Sequence, residues 1–176
     1  MQLGLDRVVL MPAGEAPHKQ IEQDPGAEER YLMCDLAAWG AEWLDASRAE
    51  VDRPGPSYTA DTLRQLKADG AGDELVWLLG SDQARSLPQW HEPGEVLGLA
   101  TLAVARRDGM GEDEVRGALA GLAGADRVRF FDMPSIDVSS TLVRERVAAH
   151  RPFRFFVPER VAHRIEEVGL YRGVAA

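Results

Sequence analysis

Three consecutive hydroxyl residues, Ser139, Ser140 and Thr141, stand directly before an apolar pattern of Leu142, Val143 and Val147, with Arg144 and Arg146 inside the first turns. A helix starting there offers free backbone N–H groups and the positive end of its dipole. The hydroxyls add donors, and an arginine adds a cation able to bind in bidentate fashion. That combination could hold a phosphate. It is also what ordinary N-capping by Ser or Thr requires, so spacing alone leaves both readings open. A second concentration of chemistry lies near the start. The chain has only two lysines, Lys19 and Lys67, and Lys19 sits beside His18 in a loop rich in Pro and Gly. On residue type alone Lys19 reads as a solvated loop cation. A formal net charge of −9 means that any anion-binding group must act locally, against the field of the whole molecule.

The same charge excludes nonspecific binding to nucleic acid or to an anionic membrane. The 176 residues fit a single domain over 1–176, and 45% hydrophobic with 28% charged residues is an ordinary globular composition. No apolar run approaches membrane-spanning length, and Met1-Gln2-Leu3-Gly4 begins nothing like a signal peptide. Cys34, the single cysteine, can form neither an internal disulfide nor a metal site by itself, which makes a cytoplasmic location the expectation. A homo-oligomer stays open.

The elements that must position these groups follow from hydrophobic pattern. Arg7–Met11 reads as a buried parallel strand running into the loop from Pro12 to about Gly26. Leu32, Leu36, Trp39 and Trp43 keep the helical period. Alternation over Arg48–Asp52 suggests a strand, broken at Arg53-Pro54-Gly55-Pro56, after which Ser57 reads as the N-cap of a helix over Tyr58–Lys67. Leu75–Gly80 is the strongest strand pattern and runs straight into Ser81-Asp82. Leu99–Ala105 and Val128–Phe131 read as strands, Glu112–Leu122 as a helix, and Pro158 as the first position of a closing helix bearing Val161, Ile165 and Val168. Strands alternating with helices predict an α/β fold, a parallel sheet with helices on both faces. Its ligand site is expected outside the carboxyl ends of the strands. Four polar stretches, Pro12–Lys19, Arg53–Thr62, Gly80–His91 and Ser139–Arg144, each follow an expected strand and would open on that rim.

In chain order these stretches read PAGEAPHK, GPSYTADTL, LLGSDQARSLPQW and VSSTLVR, closed by FVPERVAHRIEEVGLY. Five such segments in this order resemble the bacterial nicotinate-nucleotide adenylyltransferase family over nearly the whole chain. The resemblance implies a Rossmann-like nucleotidyltransferase fold. It also implies transfer of AMP from ATP to nicotinate mononucleotide, with pyrophosphate released and Mg²⁺ carried on the ATP phosphates. Matched position by position, Ser139, Ser140, Thr141 and Arg144 fall on the family's C-terminal phosphate-binding segment. His18 and Lys19 fall on a histidine-lysine pair whose lysine faces phosphate. Tyr58 and Thr59 open a helix that by resemblance receives the pyridine carboxylate; plain capping is the alternative. Asp82 matches a strand-end aspartate that organises the nucleotide and a neighbouring lysine. Trp90 matches a tryptophan lying against the pyridine ring, although taken alone it reads as packing. His91 stands where some relatives carry an aromatic residue, and its backbone is expected to matter more than its imidazole. Arg107 aligns with an arginine after the fifth strand, although Asp108 stands where the family often has proline.

One departure is large. The family's glycine-rich end of the first strand, with its histidine-x-glycine-histidine motif, has no counterpart, and Met1–Asp6 resembles the tail of the following helix. About 25–30 residues, a strand, its loop and a helix, are thereby expected to be missing. Losing a central strand leaves its neighbours with unsatisfied backbone groups at about 1–3 kcal/mol each, against a total stability of about 5–15 kcal/mol. The expectation is an internal start at Met1. Two other readings stay open: adenylyl transfer to another phosphate acceptor, such as nicotinamide mononucleotide or phosphopantetheine, and a noncatalytic fragment that binds nucleotide.

Overall fold

The computed structural model describes residues 2–17, 24–70, 72–106 and 111–172. Its contacts divide into two compact units, Met1–Gly4 with Ser57–Ser135 and Leu5–Pro56 with Ile136–Ala176. All the strand pairing is parallel, as the alternation of strands with helices predicts.

In the Leu5–Pro56 and Ile136–Ala176 unit, β1 (Val8–Leu10) pairs with β2 (Leu44–Ala46) in the register Val8 to Leu44. Helix α1 (Ala27–Ala38) is the crossover between them. The predicted helical stripe overruns here. Gly40, at φ 84°, turns the chain after Ala38 and puts Trp39 and Trp43 on the surface at 66% and 58% exposure. The strand expected at Arg48–Asp52 is instead a turn, held because Arg48 reaches both Glu28 and Asp52. Helix α6 (Ser140–Ala148) and helix α7 (Glu159–Val168) supply Val143, Val147, Val161, Ala162 and Ile165 to a core closed by Phe153 and by Met33 and Leu36 of α1. Pro158 is the N-cap of α7, one position earlier than the pattern suggests. A fork of two hydrogen bonds from Arg164 to Glu29, at 2.7 and 2.8 Å, ties α7 to α1.

In the other unit, β3 (Val76–Gly80), β4 (Thr101–Arg106) and β5 (Arg129–Asp132) form a sheet in that order. Strand β4 is central, and Leu102, Ala103, Val104 and Ala105 are all buried, the signature of a parallel strand covered on both faces. Helix α2 (Thr59–Asp69) brings Ala60 and Leu63 to this core, and α5 (Glu112–Leu119) brings Val115 and Leu119. Two short helices, α3 (Ser81–Ser86) and α4 (Pro93–Leu99), occupy the connection from β3 to β4. Leu99 therefore ends a helix rather than opening a strand. Among the described residues, β1 pairs only with β2, and β3 only with β4.

Candidate functional site

Helix α6 settles part of the question posed by its hydroxyl run. Ser139 is its N-cap, accepting a hydrogen bond from the Leu142 N–H at 3.1 Å, so this hydroxyl does the capping. Ser140 and Thr141 remain exposed on the first turn. Arg144 is half-buried and donates to Thr141 Oγ1 at 3.2 Å, which fixes the guanidinium beside the helix start. That partner is neutral. Among the described residues Arg144 has no carboxylate partner, whereas Arg30, Arg48, Arg64, Arg85, Arg106, Arg116, Arg154 and Arg164 are all paired. Tyr171 lies within reach of the Arg144 charge; burial raises its phenol pKa, and the cation opposes that shift.

In the same unit the loop after β1 is pinned from α1. Arg30 Nη2 donates to the carbonyls of Ala13 and Gly14 at 2.6 and 2.9 Å, and its Nη1 pairs with Asp24. Glu15 bridges in parallel to Pro56. The anchored stretch runs to Pro17. His18 and Lys19, and Arg107 in the other unit, lie outside the described residues.

The second group of candidates is carried by the sheet of β3, β4 and β5. Tyr58, rather than Ser57, is the N-cap of α2, and its side chain makes no capping hydrogen bond. Ser57 is buried instead, and the stretch 53–62 follows a turn, not a strand. Thr59 is half-buried at the first helical position. The Tyr58 ring stacks on His91 with centroids 4.3 Å apart and planes tilted by 32°. The imidazole thus makes a ring contact that residue type did not suggest. Trp90 is half-buried, donates from Nε1 to Ser86 Oγ at 3.1 Å, and packs against the core around Leu87. Asp82 is exposed and paired with Arg85, which also holds Glu114. Ser81 ties the start of α3 to β4 through the Ala105 carbonyl at 3.2 Å.

Two residues here escape sequence reasoning. Glu92 adopts a left-handed conformation, φ 50°, as N-cap of α4, and Arg64 of α2 holds it. Arg64 also reaches Asp61 and Glu95, so one guanidinium fastens α2 to α4. The hydrogen bond from Arg64 keeps the Glu92 carboxyl below the usual carboxylate range. Only the local Asp61–Arg64 spacing was visible beforehand. Among the described residues no group of three His, Cys, Asp or Glu side chains converges as a metal site. No helix among them is long and apolar enough to cross a membrane.

Residues 1–146 match the cytidylyltransferase-like family. A probable nicotinate-nucleotide adenylyltransferase of Thermomicrobium roseum is 39% identical over 176 residues, covering 99% of this chain and 82% of the relative. One from Roseiflexus sp. is 40% identical over 170 residues, 97% of this chain and 85% of the relative. In three dimensions the chain is similar to Plasmodium falciparum nicotinic acid mononucleotide adenylyltransferase complexed with NaAD. The TM-score is 0.69 at 13% identity, over 94% of this chain and 82% of that one, which shows a shared fold.

Proposed function

The chain belongs to the nicotinate-nucleotide adenylyltransferase family, and from that premise we propose that it transfers AMP from ATP to nicotinate mononucleotide, giving nicotinate adenine dinucleotide and pyrophosphate. The reaction needs no covalent intermediate: the 5′-phosphate of the acceptor attacks the α-phosphorus of ATP in line. Such chemistry rests on positioning and on stabilising the charge that builds on the phosphates. Mg²⁺ enters with ATP as part of that substrate.

The observation that carries the reading is Arg144. In a chain of net charge −9, a half-buried guanidinium fixed beside a capped helix start keeps its charge uncompensated by any carboxylate among the described residues. Phosphate is the ligand that fits it. In this reading Arg144, Ser140 and Thr141 hold the ATP phosphates together with Lys19 and His18, while Ser139 keeps the helix end in shape. The start of α2 at Tyr58 and Thr59, which the Tyr58 side chain does not cap, suits the pyridine carboxylate. Trp90 and the Tyr58–His91 stack offer the flat apolar surfaces a pyridine ring needs, Asp82 assists on the nucleotide side, and Arg107 is a further cation for phosphate. A carboxylate received by amide donors also favours nicotinate over neutral nicotinamide.

Pyrophosphate release measured with ATP and equal concentrations of nicotinate mononucleotide, nicotinamide mononucleotide and phosphopantetheine tests the proposal. The nicotinate substrate is expected to win the competition. Saturable binding of nicotinate mononucleotide with no pyrophosphate released would mark the chain as a binder rather than a catalyst.

A further inference from the structure

A second cationic cavity lies at the far end of α6, within the same unit as Arg144. Its volume is about 460 Å³, in the range of small-ligand sites, and Val147, Phe153 and Ile165 form its apolar floor. Val147, the α6 residue in its wall, lies seven residues along the helix from Ser140, about 10 Å at 1.5 Å per residue.

The charges around the cavity divide into spent and free. Arg154 is neutralised, held by Glu166 through two bonds and by Glu159 through a third. Arg172 donates to the Glu166 backbone carbonyl at 3.1 Å and lies within reach of the Glu166 carboxylate charge, but among the described residues it forms no ion pair. Arg151 is exposed and its guanidinium has no partner among the described residues, and the His150 imidazole is likewise free. His150 itself sits at φ 51°, a left-handed turn that swings the chain from α6 onto the cavity wall. Over this rim stands Phe155, 100% exposed. The free Arg151 guanidinium, with Arg172 beside it and a bare phenyl ring, forms a local cationic, aromatic surface on a molecule of net charge −9. Guanidinium groups grip phosphate oxygens in pairs, and a free ring stacks on a planar heterocycle.

We propose that this cavity is a second ligand site, for a phosphate ester of a planar aromatic group such as a nucleoside monophosphate. Arg151 and Arg172 take the phosphate, Phe155 stacks on the base, and Val147 and Phe153 exclude water beneath it. The inference rests on this cavity alone and does not depend on adenylyl transfer.

Amide chemical shifts of the ¹⁵N-labelled full chain, titrated with AMP, test it. AMP is expected to move the amides of His150, Arg151 and Phe153 to Phe156 saturably. Adenosine and ribose 5-phosphate, each lacking one half of the recognition, should move them with at least about tenfold weaker affinity. Phe155→Ala removes a side chain that packs against nothing and so leaves the fold intact; it and Arg151→Ala should each weaken AMP at these amides about tenfold. Shifts confined to the α6 start at Ser139–Arg144, or AMP affinity at His150–Phe156 unchanged in both variants, would overturn the proposal.

Discussion

Replacing Arg144 by alanine separates a catalytic role from a structural one, because the two carry different magnitudes. Structurally, Arg144 contributes one hydrogen bond to a neutral, exposed hydroxyl at 3.2 Å. Such a bond is worth about 0.5–1 kcal/mol, or a shift of about 1–4 °C in the melting temperature of a chain this size. The burial at this turn belongs to Val143, which the substitution leaves alone. Functionally, removing one preorganised donor from developing phosphate charge costs about 10²–10³ in turnover, roughly 3–4 kcal/mol. Arg144→Ala is therefore expected to lower pyrophosphate release about 10²–10³-fold and to weaken ATP in a calorimetric titration, with only a small change in melting. Arg144→Lys should recover part of the loss, since a lysine restores charge but not the fork. Turnover and ATP affinity within about threefold of the parent would refute the phosphate role. A melting temperature lowered by about 10 °C, with activity falling in proportion, would instead make Arg144 a structural residue.

Other outcomes follow from the same structure. Ser139→Ala should destabilise the chain by about 1 kcal/mol through loss of the α6 cap, seen as an earlier urea midpoint. Arg164→Ala should cost about 2 kcal/mol at neutral pH, since Glu29 and Arg164 are only 16% and 27% exposed and share two charge-assisted bonds. The hydrogen bond from Arg164 holds the Glu29 carboxyl below its ordinary value, so this stability is present above the unfolded pKa and lost as pH falls through the folded one. Urea melts of the variant should accordingly lose less stability on acidification than those of the parent, and identical acid limbs would count against the pairing. Arg64→Ala should raise KM for nicotinate mononucleotide several-fold more than it lowers kcat, by freeing Glu92 and the neighbouring His91. Leu63→Ala, in the core at 1% exposure, should cost about 2–5 kcal/mol by thermal melting.

What the residue pattern reveals and what it hides divide along a physical line. Apolar periodicity is local, and it located β3, β4, α5 and α6 within a few residues because each buries a face its own spacing defines. It failed where a backbone event overrode it: Gly40 stops α1 although Trp43 continues the period, and β2 is too short to show alternation. Helices α3 and α4 were hidden because six or seven residues are too few to declare a stripe.

At the candidate site the hidden quantity is charge pairing. Arg64, Arg85 and Arg144 look alike in a sequence, each a few residues from hydroxyls or carboxylates. Only the folded chain shows Arg64 spent on Glu92 from another helix, Arg85 spent on Glu114, and Arg144 left with Thr141 alone. In an acidic protein, carboxylates are plentiful enough to claim most guanidinium groups. A fixed arginine that none of them claims keeps its charge available, and beside hydroxyls at a helix start the proposed use of that charge is an anion. The hydroxyl run alone could be a cap, and Ser139 is one. It is the free charge behind it on which the proposed phosphate site rests.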